Sequence, residues 1–310
     1  MKIVVLGGYG FVGKSVIEEL QNKEYNVIAL SRRREFNLLE YENAKARLKE
    51  VSPDVIVNCA AHVGSLHYVT NYAADVVDDN LQMFLNLYRM IKEIDCEIKV
   101  INPISNCSYP GDSSIQVESE WWNGPVHKSV WSFANAKRMW VVISECYAMQ
   151  YNIRTTNFLV PNAYGPGDYT DPNKTHALNG MIIRMLQVKK AKQPEFEIWG
   201  TGEPMREWIY VKDLAKMLVN AVEMNKKQIQ QVNIAQNKSY SIRKTAEMIK
   251  ELIDYKGRLA FNTKYQDGAP IKKLDDKLFK NIYPEFTFID IKEGIKETIK
   301  YYKKIMEVEE

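Results

Sequence analysis

The residues that most restrict this chain stand at its start. An apolar run, Ile3-Val4-Val5-Leu6, leads straight into Gly7-Gly8-Tyr9-Gly10-Phe11-Val12-Gly13-Lys14-Ser15. A buried strand that ends in closely spaced glycines and passes at once into helical spacing (Val12 to Leu20) reads as a phosphate-binding turn, a plain tight turn being the blander alternative. The glycines let the backbone approach the ligand, and the helix N-terminus faces its negative charge. Two patterns overlap here. Gly8 to Ser15 fits G-x-x-x-x-G-K-S, in which lysine reaches phosphates and serine holds magnesium. Gly7, Gly10 and Gly13 fit G-x-x-G-x-x-G, a dinucleotide turn with the pyrophosphate on the helix start. The early strand, the helix opening among the glycines and a second strand ending at Leu30 favour the dinucleotide turn. No strand-end aspartate suits a magnesium ion.

The next apolar runs are Val27-Ile28-Ala29-Leu30, Val55-Ile56-Val57 and Ile98-Lys99-Val100-Ile101. Each is rich in β-branched residues and bounded by turn formers or charge. Helical stretches alternate with them, the longest running from Ala74 to Ile94. The alternation predicts an α/β fold, a Rossmann-type doubly wound parallel sheet, with a smaller mixed α/β C-terminal lobe for substrate. At 310 residues the chain exceeds what one hydrophobic core usually serves. Pro161 to Pro172 reads as loop. A helix over about 178–188, a strand Phe196–Trp199, a helical run to about Met224 and a closing helix from Ile291 to about Met306 follow. Residues 1–160, with about 205–230, are assigned to the dinucleotide domain, and 161–204 and 231–310 to the lobe.

Forty-two Lys and Arg against 39 Asp and Glu leave a net charge of +3, which gives no reason to expect nucleic acid or an acidic membrane as partner. Cys59, Cys96, Cys107 and Cys146 form no C-x-x-C, so neither a metal site nor a disulfide scaffold is expected. No apolar stretch is long enough to span a bilayer, and the opening run is too short for a signal peptide, so a cytoplasmic location is expected. Beyond the second strand, an acidic residue would hydrogen-bond a free ribose 2′-hydroxyl; the chain instead has Ser31-Arg32-Arg33-Arg34. Guanidinium groups suit a 2′-phosphate, which makes NADP(H) the expected cofactor; a solvated basic turn is the plainer alternative.

Further segments follow in order: Asn37-Leu38-Leu39, Ala60-Ala61-His62-Val63-Gly64, Ser105-Asn106-Cys107-Ser108-Tyr109-Pro110, and Pro161-Asn162-Ala163-Tyr164-Gly165-Pro166. Then come Pro172-Asn173-Lys174-Thr175-His176, Trp199-Gly200-Thr201-Gly202-Glu203-Pro204-Met205-Arg206-Glu207 and Asp267-Gly268-Ala269-Pro270-Ile271-Lys272. As an ordered set these resemble the extended short-chain dehydrogenases/reductases, and among them the GDP-L-fucose synthase group of NADPH-dependent 3,5-epimerase/4-reductases.

The resemblance implies C4 reduction of a nucleotide-linked 4-keto-6-deoxy sugar, GDP-linked by preference, in a homodimer formed through two long helices, 74–94 and 131–150. It implies that Gly7, Gly10, Phe11, Val12, Gly13, Ser31, Arg32, Arg33, Asn37, Leu38, Ala60, Ala61, Lys137 and His176 hold the cofactor. Asn162, Arg184, Trp199, Arg206 and Lys272 would contact the substrate. Ser105 would steady the carbonyl oxygen, and Lys137 would lower the pKa of a proton-donating tyrosine one helical turn before it. Cys107 and His176 would be the acid and base that epimerise the carbons flanking the ketone. Their plainer roles are a buried thiol and a capping or surface histidine.

The tyrosine itself is absent: Ser132-Phe133-Ala134-Asn135-Ala136-Lys137 puts phenylalanine, which has no proton to give, at that position. Three explanations stand open: an introduced Tyr→Phe change, a silent descendant, or a proton from elsewhere, Tyr109 and water being candidates. The Phe133 form is expected to be crippled in reduction. Other activities remain in view, namely a reductase without epimerase activity, a silent NADPH-binding protein and a nucleotide triphosphatase using Lys14 and Ser15. Asn106 and Cys107 after Ser105 replace the acidic residues of sugar-nucleotide dehydratases, and the arginine turn argues against a 4-epimerase that retains NAD. Tyr9 and His62 stand where the group has basic residues, which leaves the sugar and the base open.

Overall fold

A computed structural model describes residues 1–34, 36–172, 174–224 and 229–307. The N-terminal half alternates strand and helix as its apolar runs dictate: β1 (Lys2–Leu6), α1 (Phe11–Asn22), β2 (Asn26–Leu30), α2 (Tyr41–Val51), β3 (Val55–Asn58), α3 (Leu66–Asn71), α4 (Ala73–Ile94), β4 (Lys99–Ser105), α5 (Trp131–Tyr151) and β5 (Thr155–Val160). Then come β6 (Asn162–Tyr164), α6 (Ala177–Lys190), β7 (Glu195–Trp199), β8 (Met205–Arg206), β9 (Trp208–Tyr210), α7 (Val211–Asn220) and β10 (Ile229–Asn233). The chain closes with β11 (Tyr240–Ser241), α8 (Ile242–Ile253), β12 (Arg258–Asn262), β13 (Ile271–Lys272), α9 (Lys277–Ile282) and α10 (Ile291–Ile305).

Among the described residues the large sheet has six strands in the order β10-β5-β4-β3-β1-β2, all parallel. Its central strands are almost wholly buried because helices cover both faces. Leu48, Phe84, Leu87 and Trp140 pack from α2, α4 and α5 on one face. Val16, Leu20, Leu214, Leu218 and Phe279 pack from α1, α7 and α9 on the other. Each such side chain withdrawn from water contributes about 1.5–3 kcal/mol. The strand order reverses between β1 and β3, where ligands of open α/β sheets collect at the carboxyl ends.

A separate core of Leu178, Ile182, Phe196, Ile249, Ile299 and Tyr302 builds the C-terminal lobe around small mixed strand pairings. The boundary drawn at 230 needs correcting. Residues 229–233 form β10, which pairs with β5, and Val232 and Ile234 pack beneath the large sheet, so this stretch belongs with the sheet. Phe279 on α9 packs there too. The strand read as 98–101 continues to Ser105, with Pro103 paired to Phe158 in its interior. No helix among the described residues is long and apolar enough to cross a membrane.

Candidate active site

The turn after β1 is built by glycine. Gly7 has φ +69, and a Cβ there would lie 2.8 Å from the backbone of Cys59 and Ala60. A Cβ on Gly13 would lie 2.3 Å from the Gly7 carbonyl oxygen. The Gly7 N–H donates to the Leu30 carbonyl and the Cys59 N–H to the Leu6 carbonyl, so the carboxyl ends of β1, β2 and β3 converge on the turn. α1 begins at Phe11, capped only by the backbone of Gly10, which leaves its first amides facing outward. Gly7, which only the dinucleotide pattern uses, is thus a position that no other residue fits, and Ser15, which the mononucleotide pattern needs at a metal, is buried.

Arg32, Arg33 and Arg34 form an exposed 3-10 turn just past β2. The Arg33 guanidinium lies 5.3 Å from the ring centre of Tyr169 and that of Arg34 5.1 Å from Tyr9. Beside them the Ser31 hydroxyl is buried without a hydrogen-bond partner in the protein. An orphaned hydroxyl, three guanidinium groups and a turn that admits no Cβ suit a phosphorylated ribose and a pyrophosphate. Asn37 and Leu38 flank the same edge, the Leu38 carbonyl accepting from Asn86 Nδ2 at 2.8 Å. Ala60 and Ala61 follow β3, with the Ala60 N–H on Asn58 Oδ1.

Ser105 ends β4 at the carboxyl edge of the sheet, and its Oγ accepts the Cys107 N–H at 3.4 Å. The turn carrying Cys107 is braced by Arg138, whose guanidinium donates to the carbonyls of Ser108, Trp121 and Gly124. Asn106 and Gln116 exchange hydrogen bonds behind it. On α5, Lys137 is 4% exposed; its Nζ donates to the Pro103 carbonyl at 3.4 Å and lies 5.5 Å from the Phe133 ring centre. Burial pushes this amine down to about 7, against the opposing pull of the Cys107 and Cys59 sulfurs. Tyr109 cannot replace the missing tyrosine. Its ring is buried and its hydroxyl donates to Asn233 Oδ1 at 2.7 Å.

His176 precedes α6, and its ring centre lies 5.2 Å from that of Phe11, joining the lobe to the glycine turn. Asp168 Oδ2 accepts the His176 N–H at 2.9 Å, lies 3.1 Å from His176 Nδ1 and accepts Asn179 Nδ2 at 2.9 Å. Burial pulls the imidazole down, but the Asp168 carboxylate outweighs it and holds His176 above its usual value.

Arg206 and Lys272 are register partners on β8 and β13. Burial lowers both, Lys272 to about 8 and Arg206 to about 10; the Cys107 sulfur acts on Lys272 as it does on Lys137. Asn162 Nδ2 donates to the carbonyl of Glu207, the residue after Arg206. The Arg184 guanidinium lies 5.2 Å from the ring centre of Trp199, which is half exposed and stacked on Tyr265. Arg184 and Trp199 thus form one cluster, and Arg206, Lys272 and Cys107 another.

Sequence similarity fits this geometry. The profile of the "NAD dependent epimerase/dehydratase family" matches residues 3–235. The chain belongs to that family. It is 29% identical to "GDP-L-fucose synthase" of Dictyostelium discoideum over 307 residues, covering 97% of this chain and 94% of the relative. It is 28% identical to "GDP-L-colitose synthase" of Yersinia pseudotuberculosis, covering 97% and 98%. A crystal structure of a GDP-L-fucose synthetase from Naegleria fowleri bound to NADP superposes with a TM-score of 0.88 at 24% identity, covering 99% of this chain and 93% of that one. That last likeness speaks for the fold.

Some residues of this family member's site carry no clear sequence signal. Asp168 stands eight residues before His176 in a proline-glycine loop, and only the folded chain puts its carboxylate on the imidazole. His127 is another. Burial, then the charges of Lys272 and Arg206, push its pKa down. Among the described residues no group of three or more His, Cys, Asp or Glu is arranged to hold a metal.

Proposed function

We propose that this chain reduces the C4 ketone of a GDP-linked 4-keto sugar at the expense of NADPH, with Cys107 and His176 exchanging protons on the ring carbons beside the ketone. The observation that carries this reading is Cys107, hydrogen-bonded to Ser105 at the carboxyl end of β4 and packed in one apolar cluster with Phe133 of α5, the helix that also carries Lys137. A nucleotide-sugar diphosphate needs guanidinium and ammonium partners, which Arg206 and Lys272 provide side by side. The names of the relatives, a fucose synthase and a colitose synthase, favour guanine as the base.

The glycine turn, the arginine turn and Ser31 would hold NADP(H), which when bound supplies hydride to the ketone carbon. Ser105 Oγ donates to the carbonyl oxygen, and Lys137 sets the local positive charge that favours an alkoxide. The ketone acidifies the hydrogens at C3 and C5. The Asp168-held His176 and the Cys107 thiol then take and return protons there. The exposed Trp131, Met139 and Met149 of α5 support a homodimer through that helix.

The decisive measurement is NADPH oxidation with GDP-, dTDP-, UDP- and CDP-linked 4-keto sugars in deuterated water. The expected result is turnover on the GDP-linked ketone with deuterium at C3 and C5. No reduction of any of the four, by this chain or by its Phe133→Tyr variant, overturns the reading. Reduction without deuterium removes the epimerase half.

A further inference from the structure

Phe133 brings no hydroxyl to the pocket beside Lys137, yet a phenol stands on the same wall. α3 lies against the start of α5, where Ser132 Oγ donates to the Val69 carbonyl at 3.0 Å. Tyr68 on α3 packs against the small apolar cluster that contains Val69, Cys107, Phe133 and Ala134. Its hydroxyl is 2.8 Å from His62 Nε2, and His62 Nδ1 is 2.8 Å from Asp79 Oδ2 on α4. Asn80 pins His62 from behind: its side chain accepts the His62 N–H and donates to the His62 carbonyl. Tyr68, His62 and Asp79 are all half-buried, so water reaches the chain they form. A carboxylate on one imidazole nitrogen orients the ring, while the other nitrogen exchanges a proton with the hydroxyl.

We propose that Tyr68, recharged through His62 and Asp79, donates the proton of ketone reduction in place of the hydroxyl that position 133 lacks. The inference rests on the ketone reduction proposed above. Hydride addition at C4, with the nicotinamide of NADPH as reductant, forms the C–H bond and leaves the carbonyl electron pair on oxygen as an alkoxide. The Tyr68 O–H bond breaks and its proton completes the alcohol. The tyrosine oxygen regains a proton from solvent relayed through His62 Nε2, while His62 Nδ1–H stays on Asp79. Asp79 and His62 are positioning residues; Tyr68 meets the substrate.

The test begins with Tyr68→Phe, which removes the hydroxyl and keeps the ring. General acids contribute about 100- to 10,000-fold, so kcat for NADPH oxidation should fall at least about 100-fold while KM for the GDP-linked ketone stays within about twofold. Adding Phe133→Tyr to that variant should restore the rate. His62→Gln should lower kcat about 10-fold without moving KM. In the protein without cofactor, the 15N resonances of the His62 ring should shift on Tyr68→Phe. Unchanged kcat in Tyr68→Phe, or unmoved His62 resonances, overturns the proposal. If Phe133→Tyr reduces the ketone while the natural chain does no better than Tyr68→Phe, the activity stands and Tyr68 falls. If neither reduces any of the four ketones, the activity reading falls and takes Tyr68 with it.

Discussion

The Lys137 ammonium stands one helical turn beyond Phe133, 5.5 Å from that ring's centre and 3.3 Å from the ring centre of Trp140. In this position the lysine would depress the pKa of a phenol at residue 133 and make it a better acid near neutrality. Phe133→Tyr is therefore expected to raise kcat for NADPH-dependent ketone reduction by about 10- to 100-fold, within the range of a general acid. Adding Lys137→Met should remove most of that gain. Following NADPH absorbance in the single and double variants measures both. A Phe133→Tyr enzyme no faster than its parent would mean that position 133 does not face the carbonyl.

The same lysine makes stability depend on pH in a definite direction. Its pKa falls from 10.5 to about 7 on folding because burial disfavours the charged form. Between those values the unfolded chain binds the extra proton, so stability rises with pH through the window and is flat below it. From pH 7 to 9 this one group contributes a rise of roughly 2 kcal/mol at most. Urea unfolding of Lys137→Met should show a shallower rise than the natural chain over that interval. Equal slopes would place the lysine in water rather than in the core.

Asp168 and His176 give the epimerisation step its own pH signature. The carboxylate holds the imidazole above its ordinary 6.5, so the neutral form that accepts a proton is reached only at higher pH. Deuterium exchange at C3 and C5 of the bound ketone should therefore climb through a pH above 6.5 in the natural chain. Asp168→Asn removes the raising charge and leaves burial, moving that limb to lower pH. Cys107→Ser should cut exchange at least about 100-fold, because the hydroxyl is far less acidic than the thiol. NADPH affinity should be unchanged in Cys107→Ser. Mass spectrometry of the recovered sugar reads the exchange directly.

The fold was legible where burial is one-dimensional. β1, β2 and β3 lie under helices on both faces, so their apolar runs announce them, and α4 and α5 keep a continuous apolar stripe. β5 was hidden because Thr155, Thr156 and Asn157 look like loop. Asn157 is in fact buried, accepting from Asn102 Nδ2 and donating to Ser144 Oγ, and a polar residue with such partners can sit in a central strand. The second half of β4 was masked by Pro103, whose ring usually excludes the middle of a sheet. Phe133 and Lys137 were assigned through the family resemblance, and one helix carries both. Asp168 and Tyr68 were not. Their roles depend on loops that bring them to His176 and His62, and no periodicity records that meeting.

The arginine turn should separate the two nicotinamide cofactors. Arg32 and Arg33 are exposed beside β2, and the buried Ser31 hydroxyl lacks a protein partner, so the edge of the glycine turn carries positive charge and an idle donor. A 2′-phosphate would engage both features, whereas a free ribose hydroxyl would engage only the serine. A charge-assisted hydrogen bond contributes about 1.5–3 kcal/mol, so Arg32→Ala combined with Arg33→Ala should weaken NADPH binding at least about 10-fold. NADH binding should change less than about twofold, because no phosphate is lost from its contacts. Added salt should weaken NADPH binding to the natural chain more than to the double variant, because solvent-exposed pairs are screened. Calorimetric titration with each cofactor at two salt concentrations decides the matter, and equal losses for NADPH and NADH would reduce the three arginines to a solvated turn.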